Sequence, residues 1–174
     1  ARNMISSDVE TYIIRADSTV ETTGGDIRLL AGESASINAI SMAASVAAGF
    51  GGTVGVAVAG AGAEATNVIL TSTNAYVKDS TLSSAGNIDI DAINTSSIDA
   101  SIIAASVSLA IGGTVGVGAS IGAAMAMNLI GVTESDTRVG VEVQAYIEDS
   151  SVLDAGDITL DAVSDLLVDA TVFT

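Results

Sequence analysis

Apolar and polar residues alternate with a period of two along much of this chain, and the alternating segments themselves recur. In residues 87–92, Ile88 and Ile90 alternate with Asn87, Asp89 and Asp91; in residues 157–162, Ile158 and Leu160 alternate with Asp157, Thr159 and Asp161. Successive side chains on a strand point to opposite faces, so each segment predicts a half-buried strand with one apolar and one acidic face. The longer phrase around them occurs three times, as residues 8–15 followed by 24–31, residues 76–82 followed by 85–92, and residues 146–152 followed by 155–162. Gly24-Gly25, Ala85-Gly86 and Ala155-Gly156 mark a turn before each short strand. Tyr12, Tyr76 and Tyr146 fall at the same place in each copy, which suits a stacked ladder better than a sugar-binding platform.

A longer apolar arm follows the alternating strands. Residues 36–46 and 97–109 place Ser and Ala on one face and larger aliphatics on the other, and each arm runs into a Gly-Gly-Thr turn. The turns, Gly51-Gly52-Thr53-Val54-Gly55-Val56 and Gly112-Gly113-Thr114-Val115-Gly116-Val117, stand 61 residues apart. Beyond the second turn, Val115, Val117, Ala119, Ile121, Ala123, Met125 and Met127 share one parity, while Gly116, Gly118, Ser120, Gly122, Ala124 and Ala126 share the other. A face of Gly, Ala and Ser admits another backbone layer, and the pattern predicts a strand covered on both sides with its large side chains against a core. The structural residues expected from this pattern are Gly51, Gly52, Gly55, Gly112, Gly113, Gly116, Gly118 and Gly122, with Tyr76 and Tyr146 in the ladder. Valine at Gly116 or Gly118 is expected to damage assembly most.

The copies define the organisation. One repeat domain spans residues 1–174, with repeat 1 at about 8–70, repeat 2 at about 71–140 and a partial repeat 3 at about 141–174. Asn67 precedes Tyr76 by 9 residues and Asn128 precedes Tyr146 by 18, so repeat 2 holds a surface insertion around residues 131–140 with Glu134, Asp136 and Arg138. The expected fold is an all-β solenoid of roughly 61-residue repeats, each burying its apolar face by stacking on the next. At roughly 20 residues per coil, one period would hold about three coils. The alternative within all-β is two packed sheets of long antiparallel arms folded at the Gly-Gly-Thr turns.

Residues 101–133 carry no charge, which raises a membrane reading, with Gly112-x-x-x-Gly116 and Gly118-x-x-x-Gly122 as helix-packing motifs. The period-two segregation and the lack of flanking Lys/Arg and Trp favour strands instead. Composition agrees: 49% of residues are hydrophobic but only 3% aromatic, as suits thin, closely stacked layers. Five basic against 21 acidic residues give a formal charge of −16, which argues against nucleic acid and anionic membrane surfaces as partners. The first residue is Ala1 instead of Met, as in a processed chain or an excised fragment.

Without His or Cys, nucleophilic triads, thiol chemistry and most zinc sites are ruled out. Carboxylate pairs such as Asp89 with Asp91 and Asp157 with Asp161 are expected to be a solvated face; the same four are weak Ca²⁺ candidates if an acidic ladder recruits a cation. Asn94-Thr95-Ser96 matches a glycosylation sequon, a match expected by chance at this length.

Residues 74–82, residues 85–92 and the Gly-rich arm ending Met127-Asn128-Leu129-Ile130 resemble the repeats of very large bacterial filamentous adhesins, the leukotoxin-like and filamentous-haemagglutinin-like exported proteins. The resemblance covers nearly the whole chain and implies a right-handed parallel β-helix, an extracellular or cell-surface location, and a structural or adhesive role without catalytic residues. The expected partners are other copies stacked head to tail, neighbouring repeats of a longer chain, or a host surface bound by the insertion or an acidic face.

Overall fold

The alternating segments form strands, and the Gly, Asp and Ser positions between them form the corners. The computed structural model describes residues 1–174 as thirteen strands and no helix. They are β1 (Arg2–Ile14), β2 (Val20–Thr22), β3 (Ile27–Glu33), β4 (Ser36–Gly51), β5 (Val54–Lys78), β6 (Thr81–Ser84), β7 (Ile88–Asn94), β8 (Ser97–Gly112), β9 (Val115–Ile130), β10 (Val143–Glu148), β11 (Ser151–Asp154), β12 (Ile158–Ser164) and β13 (Leu167–Phe173). The uncharged run therefore forms strands β8 and β9, not packed helices, and no helix is long and apolar enough to cross a membrane.

All hydrogen-bonded strand pairs are parallel. The four sheets are β1-β5-β10 with β9 also on β5, β2-β6-β11, β3-β7-β12 and β4-β8-β13. The chain thus passes through the same four sheets in the same order three times. The single antiparallel bridge, Val132 to Arg138, lies inside the insertion. Strand β5 is continuous over 25 residues, where the sequence pattern suggested an arm and a separate short strand.

Register fixes what one period is. Ser36 pairs with Ser97 and Gly51 with Gly112 along the whole of β4 and β8, and Val54 pairs with Val115 along β5 and β9. Residues 61 apart are therefore immediate neighbours on adjacent strands. One period is a single layer, not three short coils, because its long arms use up the residues that would otherwise make further layers. The first pass carries three more residues at its corners, so Tyr12 pairs with Tyr76 at a separation of 64 while Ile27 pairs with Ile88 at 61. The third pass pairs at a separation of 70 beyond the insertion, as in Tyr76 with Tyr146.

The core lies inside the middle layer. Ala75, Val77, Leu82, Ile88, Ile90 and Ala92 have no solvent exposure, and Ile27 and Leu29 of the first layer pack on them. Burying each Ile or Leu contributes about 1.5–3 kcal/mol. A second cluster, Ile37, Ile69 and Ile98 with Ala35, Ala39 and Ala100, sits where the arms join the body.

The arms reverse one expectation. β4 and β5 fold back at Gly51-Gly52-Thr53 and lie face to face without hydrogen bonding to each other; β8 and β9 do the same. The facing surfaces are the small ones, so Ala57, Ala59, Ala63 and Ala65 are buried while Val54, Val56 and Val58 are 56–66% exposed. On the other outer face, Ile40, Met42, Val46 and Phe50 are 65–81% exposed. These strands are covered on the Gly/Ala/Ser side alone. At the base of the arm Ile102 still fits between them, buried against Ala63, Ala65 and Ala104; toward the Gly-Gly-Thr turn the two backbones approach too closely for a larger residue, which forces the aliphatics outward.

The glycines set that approach. A Cβ at Gly49, Gly51 or Gly112 would overlap the carbonyl of Val56, Val54 or Val115, and one at Gly55 would overlap that of Ile111. At Gly116 it would meet the Ala110 carbonyl at 2.5 Å, and at Gly113 it would overlap the Gly52 carbonyl. Gly118 and Gly122 are less tight: their nearest neighbours are the Ser108 hydroxyl and the Ala104 carbonyl, each at 3.0 Å. Gly52 meets nothing within 4 Å. The most sensitive positions are therefore Gly49, Gly51 and Gly112, ahead of Gly116 and well ahead of Gly118. Gly112→Val is expected to lower stability by about 1–3 kcal/mol or more in chemical denaturation, while Gly52→Ala stays within about 1 kcal/mol of the parent.

Candidate functional site: stacked side-chain ladders

Parallel in-register pairing puts each residue on its counterpart in the next layer, and the polar counterparts form ladders. Tyr12, Tyr76 and Tyr146 stack with ring centroids 5.4 and 5.0 Å apart and interplanar angles of 22° and 2°. Offset stacking of this kind adds about 0.5–1.5 kcal/mol per pair beyond burial. Withdrawal of the central hydroxyl from water between its neighbours, reinforced by the carboxylate of Glu10, pushes the Tyr76 pKa above its ordinary 10.0. Beside it, Lys78 donates a hydrogen bond to the Glu148 carboxylate at 2.9 Å, which holds its pKa above 10.5.

A second ladder is made of asparagines. Asn3 Nδ2 donates to Asn67 Oδ1 at 2.8 Å, and Asn67 Nδ2 donates to Asn128 Oδ1 at 2.9 Å. Asn128 in turn donates to the carbonyl of Asp169 at 3.0 Å. Asn67 is fully buried, and each amide supplies the partner that the next one needs. In the sequence Asn67 and Asn128 mark the spacing to the next tyrosine, and their own 61-residue separation is the signal of the ladder.

The corners repeat as well. Arg15, Asp79 and Asp149 all take left-handed backbone conformations, with φ of 48°, 48° and 46°. At the turn before the short strands, Asp26 Oδ1 accepts from the Asn87 N–H at 2.7 Å and Asn87 Oδ1 accepts from the Asp157 N–H at 3.0 Å. The sequon residue Asn94 is fully buried, donating to Thr71 Oγ1 at 2.9 Å and accepting from Ser96, so it is not accessible to a glycan donor.

The four aspartates singled out as weak Ca²⁺ candidates do not converge. Asp91 and Asp161 are register partners, Asp89 lies between Arg28 and Thr159, and Asp157 stands at the turn. Arg28 pairs with Asp91 at 3.4 Å, and no three acidic residues group closely enough to hold a metal ion. Depressions in the surface, such as the one lined by Val143, Gln144, Tyr146, Glu148 and Ala162, are open to solvent.

The ladders end at open strand edges. β1, β2, β3 and β4 pair on one side only, as do β9, β10, β11, β12 and β13. Three of the five basic residues, Arg2, Arg15 and Arg28, belong to the first layer, whereas the third carries Glu148, Asp149, Asp157, Asp161, Asp165 and Asp169. In comparisons with known proteins, no family model, curated protein or solved structure matches the chain.

Tyr76 and Lys78 give the ladder a pH dependence. Both have folded-state pKa values raised above the unfolded ones, so their contribution is complete below pH 10 and is lost as pH rises through the folded values. The melting temperature is expected to fall as pH is raised above 10, and to fall less in Tyr76→Phe, which keeps the ring stack but cannot ionise.

Proposed function

We propose that this chain is a non-catalytic structural module of an exported bacterial adhesin or extracellular fibre. It is a β-solenoid, the right-handed parallel β-helix that the adhesin-repeat resemblance implies, and it associates end to end with further copies or with neighbouring repeats of a longer chain. The observation that carries this reading is the match between its two open edges. Tyr12 exposed on the first layer corresponds to Tyr146 on the third, Asn3 to Asn128, Ile27 to Ile158 and Leu29 to Leu160. A copy laid on the third layer in the same register would continue the tyrosine and asparagine ladders and set Arg15 beside Asp149. The unpaired N–H and C=O groups along the body strands of both edges would then be satisfied, while residues 43–51 of β4 and 115–126 of β9 in the arms would keep an open edge. Such a contact repeats without closing and generates a filament.

The lack of His and Cys, the scattered carboxylates and the acidic, ladder-covered surface all suit a spacer more than an enzyme. Surface recognition by residues 131–140 is the second reading. It is favoured by the exposure of most of that segment, which lies outside the ladders and is tied to the body by the Arg2–Glu134 ion pair and by the Gly131 N–H donating to the Ile69 carbonyl. Negative-stain electron microscopy of the purified chain tests the main reading, which expects long fibres of uniform width. A chain that stays monomeric or stops at dimers at high concentration contradicts it.

A further inference from the structure

The double-layered arms carry apolar side chains on both outer surfaces, and stacking along the solenoid axis leaves those surfaces uncovered. On the β4/β8 side they are Ile40, Met42, Val46 and Phe50 over Ile103, Val107, Leu109 and Ile111, all between 38% and 81% exposed. That face presents on the order of 1,000 Å² of apolar side-chain surface, beyond the roughly 300–600 Å² of the largest patch on an ordinary monomer and comparable to the roughly 800 Å² per partner of a standard interface.

We propose that this face is a lateral interface that packs against the same face of a second copy. Lipid is a poor occupant, because the outer strands of each arm have unpaired backbone polar groups and hydrocarbon offers them no partner. A highly charged partner is equally disfavoured, since residues 34–63 and 101–133 contain no charged side chain with which to pair it. A second copy is complementary: Val46 and Val107, or Phe50 and Ile111, form ridges, with Ala44 and Ala105 as the hollow beside them. The charge of −16 sets the orientation. Residues 40–51 span about 40 Å at about 3.3 Å per residue. Arms overlapping in opposite directions hold the two acidic bodies several Debye lengths apart, whereas arms overlapping in the same direction would press them together. An antiparallel pair of this kind is isologous, and Val46, near the middle of the arm, lies close to its two-fold axis.

The chain has no cysteine, so one introduced thiol can cross-link only to another copy. Val46→Cys is expected to give a disulfide-linked dimer on mild oxidation, while Ser18→Cys, on an exposed corner of the body, stays unlinked. Val46→Lys with Leu109→Lys is expected to lose the lateral dimer in sedimentation velocity while the strand signal in circular dichroism is unchanged. Fibres that persist as thin single filaments in this double variant would still support the proposal, since they separate the lateral contact from end-to-end stacking. Equal cross-linking at positions 18 and 46, an unchanged sedimentation profile in the Lys variant, or flotation of the parent chain with phosphatidylcholine vesicles would overturn it.

Discussion

Everything in this fold follows from parallel, in-register pairing between layers, which puts each residue against its own counterpart. A position in such a stack must tolerate a copy of itself. Apolar positions meet the condition at once, as Ile27 on Ile88 on Ile158, and so do flat rings, as in the tyrosine ladder. Asparagine meets it because one amide carries both donor and acceptor, so the chain Asn3–Asn67–Asn128, buried at its centre, leaves its members paired. Charged residues meet it least well, and several acidic positions change type between layers. Asp89 sits between Arg28 and Thr159, Glu148 lies against Lys78, and Asp79 and Asp149 follow Arg15 in the corner column. Asp79 with Asp149, Asp91 with Asp161 and Asp99 with Asp169 remain like-charged neighbours, and Arg28 offsets the second of these pairs.

The same constraint explains the arms. Where the chain folds back at Gly51-Gly52-Thr53, two sheets meet with nothing between them beyond Ile102 at the arm's base except Gly, Ala and Ser, so near the turn the backbones come within contact of each other. Past Ile102 the interior has no room for side chains of ordinary core size. The aliphatics therefore face outward, and a layer that buries its core in the body exposes it in the arm. That inversion sets the arm apart from the acidic, ladder-covered body and makes it the surface most in need of a partner.

Much of this was legible in the sequence. The period-two alternation located β7 and β12, and the 61-residue copy of the Gly-Gly-Thr turn aligned β4 with β8 and β5 with β9. The repeated tyrosine marked a ladder, and the longer spacing before Tyr146 marked the insertion. Parity alone could not say which face of the arm lies inside, because a strand alternates identically whichever way it is turned. The usual association of large aliphatics with cores pointed the wrong way; the glycine-dense face of residues 116–122 was the better guide, since only close backbones require it. The length of a layer was also misjudged, because a 61-residue period can be one long layer or several short ones until register is known. Asn67 and Asn128 share the 61-residue spacing of the turns, but spacing alone does not show that an amide is buried and bonded to its copy.

The fold depends on residues 61 apart being neighbours on adjacent strands of the first two layers. Asn38 and Asp99 are such partners, both exposed on the outer face of the β4/β8 pair near the body. Spin labels at Asn38→Cys and Asp99→Cys, diluted with unlabelled chain to suppress contacts between copies, test it most directly. Strands in a sheet lie about 4.8 Å apart, so strong dipolar broadening from a separation of about 10 Å or less is predicted. A doubly labelled chain whose spectrum is the sum of the two single labels would contradict the single-layer repeat and everything built on it.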